Sequence, residues 1–343
     1  MKARPHIVIP VIFLLSIALV GLLFLFADRP SRGAGFSRRW AGIELQKELE
    51  LPKGIGVSGI AGQNDRIAVL LTAEKNKVVI LDKQSLTVKE LRLDLPAPTK
   101  VIHCYVGASD IVVLDLASHV LYYFDSSGSL TDIDTLSVPV SRGAMIGPHT
   151  FLFKYVDITS MNPGLLYYKT GAPIRYFSLS GTSVRNDNYF ALDGFLCAET
   201  GGSAAQYCFY YHNTFLSLDS AGNSLKIHHS IDTVTTARVS GVKKERDGKR
   251  LVTLSSPPHL VNGYGCQYDE LLYIASNQPA DNEQDPLPGN VPIDIYREGH
   301  YLHSFYIPGQ QRRKAKQFLV FAGRLLALYE DRLIIYRMGS GKR

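Results

Sequence analysis

Eight basic side chains stand at similar places along the chain, where a polar turn gives way to an apolar run. They are Lys53 in LPKGIG, Lys100 in PTKVIH, Arg142 in VSRGAM, Arg185 in SVRNDN, His259 in PPHLVN, and Arg312, Arg313 and Lys314 in QRRKAK. Cations gathered around a partly dehydrated opening focus positive potential, which suits a carboxylate, a phosphate or an acidic peptide. Exposed loops also carry charged residues for solubility alone, so ordinary solvated loops are the competing reading.

The other reactive types offer less. Cys197 and Cys208 lie in FLCAETGGSAAQYCFYY, two apolar runs joined through Gly-Gly-Ser. A disulfide needs Cα atoms about 5.5 Å apart, a spacing that neighbouring strands provide. Two buried thiols are the alternative. Cys104 and Cys266 read as small buried residues. The His228-His229 and His300/His303 pairs fall on runs that read as strands, where adjacent and i,i+3 side chains point to opposite faces. Neither is the helical i,i+4 pair of a zinc protease. Asp281, Glu283 and Asp285 lack the glycine and terminal glutamate of a calcium loop and read as a solvated acidic loop. There is no G-x-S-x-G, Walker or G-x-G-x-x-G motif, and no helix follows the glycine-rich GIGVSGIAG at 54–62 to receive a phosphate. No cofactor and no metal is expected.

Composition bounds the partners. With 45% hydrophobic and 20% charged residues in 343, the chain is neither disordered nor a multi-span membrane protein. The formal charge is +6, but the first 33 residues hold four bases and one acid, which leaves 33 against 30, or +3, for the rest. That is too little to imply nucleic-acid binding.

Residues 7–26, IVIPVIFLLSIALVGLLFLF, are twenty uncharged residues, enough at about 1.5 Å each to cross a ~30 Å hydrocarbon core. Bulky residues continue to Phe26, and Ala27-Asp28-Arg29-Pro30 is a poor cleavage context, so an uncleaved transmembrane signal-anchor is expected. Residues 1–6 form a short tail before it and 27–41 a linker after it. Arg29, Arg32, Arg38 and Arg39 favour a cytoplasmic body by the positive-inside rule. A short basic terminus before an apolar run is the export arrangement, and it places the body outside the cytoplasm, in the periplasm or at the cell surface.

The elements that must position these residues are short strands. An apolar strand, a polar turn and a second strand recur as VVILDKQSLTV (78–88), LYYFDSSGSLT (121–131), LYYKTGAPIRY (166–176), FLSLDSAGNSL (215–225), IDIYREGHYLH (293–303) and LIIYRMGSG (333–341). The turn residues Asp82, Asp125, Lys169, Asp219, Arg297 and Arg337 are 43, 44, 50, 78 and 40 positions apart. A period of about 40–50 residues with four strands per unit is the mark of a β-propeller blade. The interval of 78 hides either an insertion or a seventh blade. The last unit lacks its outer strand, which GIELQKELELP (42–52) can supply.

On these residues the chain resembles the six-bladed β-propellers of the broad TolB-like and NHL-like type, over residues 42–338. The resemblance implies an all-β six-bladed ring within 42–343; the chain's own residues add its closure by an amino-terminal strand and one preceding transmembrane helix. The resemblance implies no activity. Insertions at 235–258 and 278–290 fall on one face, the one shared by the loops between blades and the loops joining second to third strands. With the chain entering at residue 42 from the opposite side, that face should point away from a bilayer. The expected role is a membrane-anchored, non-catalytic binding module for a partner protein or an anionic ligand on the decorated face. The alternative is a propeller hydrolase or lyase working in the central channel.

Overall fold

The computed structural model describes residues 15–21, 35–41, 43–51, 56–96, 102–157, 163–179, 189–199, 204–246, 249–283, 287–330 and 332–340. Strand β1 (Ile43–Leu51) comes first and belongs to the last blade. Blade one is β2 (Val57–Gln63), β3 (Ile67–Thr72), β4 (Lys77–Asp82) and β5 (Val88–Arg92). Blade two is β6 (Ile102–Val106), β7 (Ile111–Asp115), β8 (Val120–Phe124) and β9 (Leu130–Thr135). Blade three is β10 (Val140–Gly147), β11 (Thr150–Val156), β12 (Pro163–Lys169) and β13 (Arg175–Ser178), and blade four is β14 (Gly194–Ala198), β15 (Ala204–Phe209), β16 (Thr214–Asp219) and β17 (Leu225–His229). A hairpin of β18 (Gly241–Arg246) and β19 (Lys249–Leu254) then intervenes as its own two-stranded sheet. Blade five is β20 (Asn262–Tyr268), β21 (Leu271–Ser276), β22 (Val291–Arg297) and β23 (His300–Ile307). Blade six is β24 (Gln317–Phe321), β25 (Arg324–Leu328) and β26 (Leu333–Ser340), with β1 as its fourth strand. The interval of 78 thus holds a hairpin, not a seventh blade.

The ring closes as the alternation of IELQKELEL predicts. β1 runs antiparallel to β26, from Ile43 opposite Ser340 to Leu51 opposite Leu333, so both ends of the chain share one sheet and no open edge remains in the circle. Each blade is buried on both faces, which is why its strands read as unbroken apolar runs. In blade one, Ala68 and Leu70 pack toward blade six, whereas Val69, between them, packs toward blade two. The repeated turns have a local cause. The Asp82, Asp125 and Asp219 carboxylates each accept backbone N–H groups two to five residues further on, which fixes the turn between third and fourth strands.

Residues 35–41, read from sequence as linker, form a strap along the outer edge of blade five. The Ser304 N–H donates to the Arg39 carbonyl and the Ala41 N–H to the Ser304 carbonyl, both at 2.8 Å. Trp40 stacks on Tyr306 with ring centroids 4.4 Å apart. Among the described residues no helix is long and apolar enough to cross a membrane. Of residues 7–26 the structure describes 15–21, which are helical and exposed; the others lie outside the described residues.

Candidate functional site

Six inner strands, one from each blade, enclose a central channel of about 590 Å³. Its wall is mostly apolar or weakly polar: Phe195, Tyr264 and Phe318, the thiols of Cys104, Cys197 and Cys266, and the amides of Gln63, Gln267 and Gln317. Among the described residues no Asp or Glu lines it, and the charged or titratable lining groups besides the tyrosines and thiols are Arg142 and His103. Six strands crowd the axis, so close approach demands glycine at Gly265, where a Cβ would run into the Tyr273 carbonyl and the Phe195 ring.

Arg142 reaches the channel because it stands on an inner strand. The β10–β11 register shifts between Val140 and Arg142, and such an irregularity re-aims side chains. Its guanidinium donates to the Tyr210 hydroxyl at 2.6 Å. Burial alone would lower its pKa, but Tyr210 and Asp193 nearby carry it above the usual arginine value, so it stays charged. Asp193 itself is held by the buried ammonium of Lys154. His103, on the adjacent inner strand, is held below the ordinary histidine value, first by burial and then by the Arg142 charge. Among the described residues, the mouth on the decorated face therefore brings a permanent cation next to a neutral imidazole.

The other cations expected from sequence are not gathered there. Lys53, Lys100 and Arg185 lie outside the described residues. His259 is exposed and hydrogen-bonds Gln278 at 3.0–3.2 Å, joining the first insertion to the second. Arg312, Arg313 and Lys314 are exposed on the loop into blade six, and Arg313 pairs with Glu330 at 3.1 Å. Among the described residues, the ring of cations reduces to Arg142 inside the channel and a surface group outside it. Loop residues at a blade junction point to solvent unless the strand has already begun. His103 was missed for the converse reason: it sits three residues beyond Lys100, already inside the strand.

Of the two readings of the cysteine pair, buried thiols describe the structure. All four cysteines are buried free thiols. Cys197 stands opposite Gln206 and Cys208 opposite Phe195, so the two are diagonal neighbours and not a cross-strand pair, though both belong to one apolar cluster. Its hydrogen bond with the Cys208 thiol, and then burial, push the Cys197 thiol well above its usual range, which makes it unreactive. Among the described residues no group of three or more His, Cys, Asp or Glu could hold a metal ion.

The acidic loop divides where it is described: Asp281 is exposed, as a solvated loop requires, whereas the Glu283 side chain is buried in an ion pair, and Asp285 lies outside the described residues. Arg38 of the strap is buried and donates to Asp294 through Nε and Nη2 at 2.8 and 3.2 Å, and to Glu283 through Nη1 at 2.8 Å. Ser304 and Tyr306 donate hydroxyl bonds of 2.5 Å to the same two carboxylates. The Arg38 N–H donates to Asn282 and the Asn282 amide returns a bond to the Arg38 carbonyl, at 2.9 and 2.7 Å. The strap starts at the decorated face, where the Phe36 carbonyl accepts the Asp281 N–H at 2.9 Å and Gly35 lies against Thr233. β1 itself begins at the opposite face, where Ile43 stands opposite Ser340, but the strap that precedes it is tied to the decorated face, so entry at residue 42 does not decide which face an anchor would lie on.

The geometry can be set beside known proteins. No family model and no curated protein sequence matches the chain. Solved structures do match in fold. A member of the DUF4221 family from Bacteroides vulgatus is 11% identical with a TM-score of 0.53, covering 87% of this chain and 98% of that one. A putative exported protein from Bacteroides fragilis is 10% identical with a TM-score of 0.51, covering 88% and 95%. A virginiamycin B lyase from Staphylococcus aureus is 13% identical with a TM-score of 0.47, covering 86% and 99%. The chain is a six-bladed β-propeller. At these identities the likeness extends to the fold alone.

Proposed function

We propose that this propeller is a membrane-anchored, extracytoplasmic binding module whose channel takes a small anionic ligand through the decorated face, with residues 7–26 as the anchor. The observation that carries the reading is Arg142, a charged side chain lining a channel of about 590 Å³ whose described wall contains no carboxylate. A cavity of this size is ordinary for a small-molecule site, and a few placed polar groups in an apolar wall set orientation. The rings of Phe195, Tyr264 and Phe318 suit an apolar body, and Arg142 suits an anionic head. A lyase or hydrolase in the same channel would draw on His103, the neutral imidazole beside Arg142, as its base.

The test is calorimetric titration of the purified full-length chain with benzoate, succinate and inorganic phosphate, beside Arg142→Gln. Saturable binding of at least one anion, weakened tenfold or more by Arg142→Gln, is the expected result. Equal affinity in both proteins, or no binding of any of the three, overturns it. Chemical change in a bound anion on prolonged incubation would move the assignment to the enzyme.

A further inference from the structure

A second cavity, of about 190 Å³, adjoins the channel between blades one and two. Its apolar wall is Leu71, Val78, Leu93, Ile102, Cys104 and Val113, all members of the cluster that fills the space between these two blades. The loop from β3 to β4 supplies Glu74 and Lys77 to its rim, which places the opening at the decorated face. Protein interiors are close-packed, with few voids larger than a water molecule, so a recess of this size between two blades is a shaped feature.

The recess is a side arm of the channel. Leu71, Ile102 and Cys104, with Ser58, line both cavities. Alternation along β6 sends Ile102 and Cys104 toward blade one, whereas His103 and Tyr105 take the side of blade three, where Arg142 stands. His103 is close enough to Arg142 for that charge to lower its pKa. One inner strand thus has the cation on one side and the side arm on the other.

The rim is preorganised and its charges are paired. The Thr72 hydroxyl lies 3.0 and 2.9 Å from the Glu74 and Lys77 carbonyls, and the Lys77 ammonium meets Glu90 at 2.8 Å and Glu74 at 3.7 Å. A second charged end would have to compete with these pairs, whereas an uncharged one meets aliphatic groups and a thiol. An apolar cavity of about 150 Å³ takes one benzene ring, so the arm has room for one ring or a short alkyl chain.

We infer that the ligand of this propeller is an amphipathic carboxylate whose head is held at Arg142 and whose hydrocarbon tail crosses β6 into the side arm. The inference rests on the reading of Arg142 as the anion site and adds the nature and place of the tail.

The experiment is calorimetric titration of the purified full-length chain with butanoate, hexanoate and octanoate. Each buried methylene is worth up to about fourfold in affinity. Octanoate is expected to bind tenfold or more tighter than butanoate, and Arg142→Gln should weaken all three acids alike. Ser58→Trp sets a ring at the boundary shared by the two cavities, and Ser58 is exposed, so the change spares the core. It should bring octanoate to within about threefold of butanoate while butanoate itself still binds. A second measurement needs no variant. Octanoate carrying a terminal diazirine, photolysed on the wild-type chain and mapped by peptide mass spectrometry, is expected on Val78, Leu93 or Val113. Label on Phe195, Tyr264 or Phe318 across the axis, or a chain-length gain that survives Ser58→Trp, places the tail along the channel and overturns the inference. Equal binding of the three acids that still depends on Arg142 also overturns it and leaves the anion site intact. Absence of binding by these acids and by benzoate, succinate and phosphate overturns both readings.

Discussion

Arg38 and Asp294 form a two-pronged ion pair between residues 256 positions apart, with Nε and Nη2 on the two carboxylate oxygens at 2.8 and 3.2 Å. A guanidinium fork matches a carboxylate in this geometry, whereas an ammonium would engage it at one point. Glu283 takes the third donor, so one cation holds an outer segment, a strand of blade five and the second insertion together. The arrangement makes the strap part of the folded ring and not a tether hanging from it.

Arg38→Met should therefore be costly out of proportion to its size. It leaves two buried carboxylates facing each other without their cation, a change worth about 3–5 kcal/mol. Arg38→Lys keeps the charge and loses the fork, and should cost less. Urea denaturation monitored by tyrosine fluorescence checks both. A loss below about 1 kcal/mol for Arg38→Met would match a surface pair and contradict a buried one.

Ring closure gives a second prediction. Leu45 on β1 packs against the large apolar cluster shared by blades five, six and one, through a strand that is held by β26 alone within its sheet. Leu45→Asp places a charge against that cluster and should lower stability by about 2–4 kcal/mol. Lys47→Gln, on the same strand, should change it by less than about 0.5 kcal/mol. Thermal unfolding of the two variants side by side separates closure from general damage.

What the sequence discloses and what it conceals divide along physical lines. The blades are legible because each Asp-anchored turn writes itself locally: Asp125 captures N–H groups of Ser127 and Ser129, and the same chemistry recurs at Asp82 and Asp219. Closure is legible because IELQKELEL alternates and the last blade lacks a strand. Arg38 is not, because its partners are over 240 positions away and nothing near it distinguishes it from Arg39. The channel mouth is half legible. Arg142 stood among the expected cations, but which of them point inward depends on where each inner strand begins, and a shift of one residue reverses the side chain.

Acid should destabilise the fold through its buried histidines. His212 is buried against Phe209, and burial followed by repulsion from His229 pushes its pKa down from 6.5 to about 4. A depressed histidine binds its proton more readily in the unfolded chain, so its contribution is full above pH 6.5 and is lost as pH falls toward 4. His103, His228 and His303 are shifted in the same direction, each chiefly by burial. Stability measured by urea should fall between pH 6.5 and 4, with His212 accounting for about 3 kcal/mol at the low end. His212→Gln should flatten that slope; an unchanged slope would mean the imidazole is hydrated.

Protonation at the channel mouth should be coupled to binding of the ligand. His103 is kept neutral by burial and by the Arg142 charge, with a hydrogen bond that the imidazole donates to the Ser141 backbone opposing both. An anion seated on Arg142 cancels part of that repulsion, so His103 takes up a proton more readily in the complex than in the free protein. By linkage the anion must then bind more tightly as pH falls through the range where His103 titrates. For benzoate, ionised throughout that range, the dissociation constant should be about fivefold lower at pH 5.5 than at pH 8. His103→Gln should abolish the pH dependence and keep binding, whereas Arg142→Gln should weaken binding at both values. Tightening that survives His103→Gln would place the proton elsewhere, and binding indifferent to Arg142 would remove the anion from this mouth altogether.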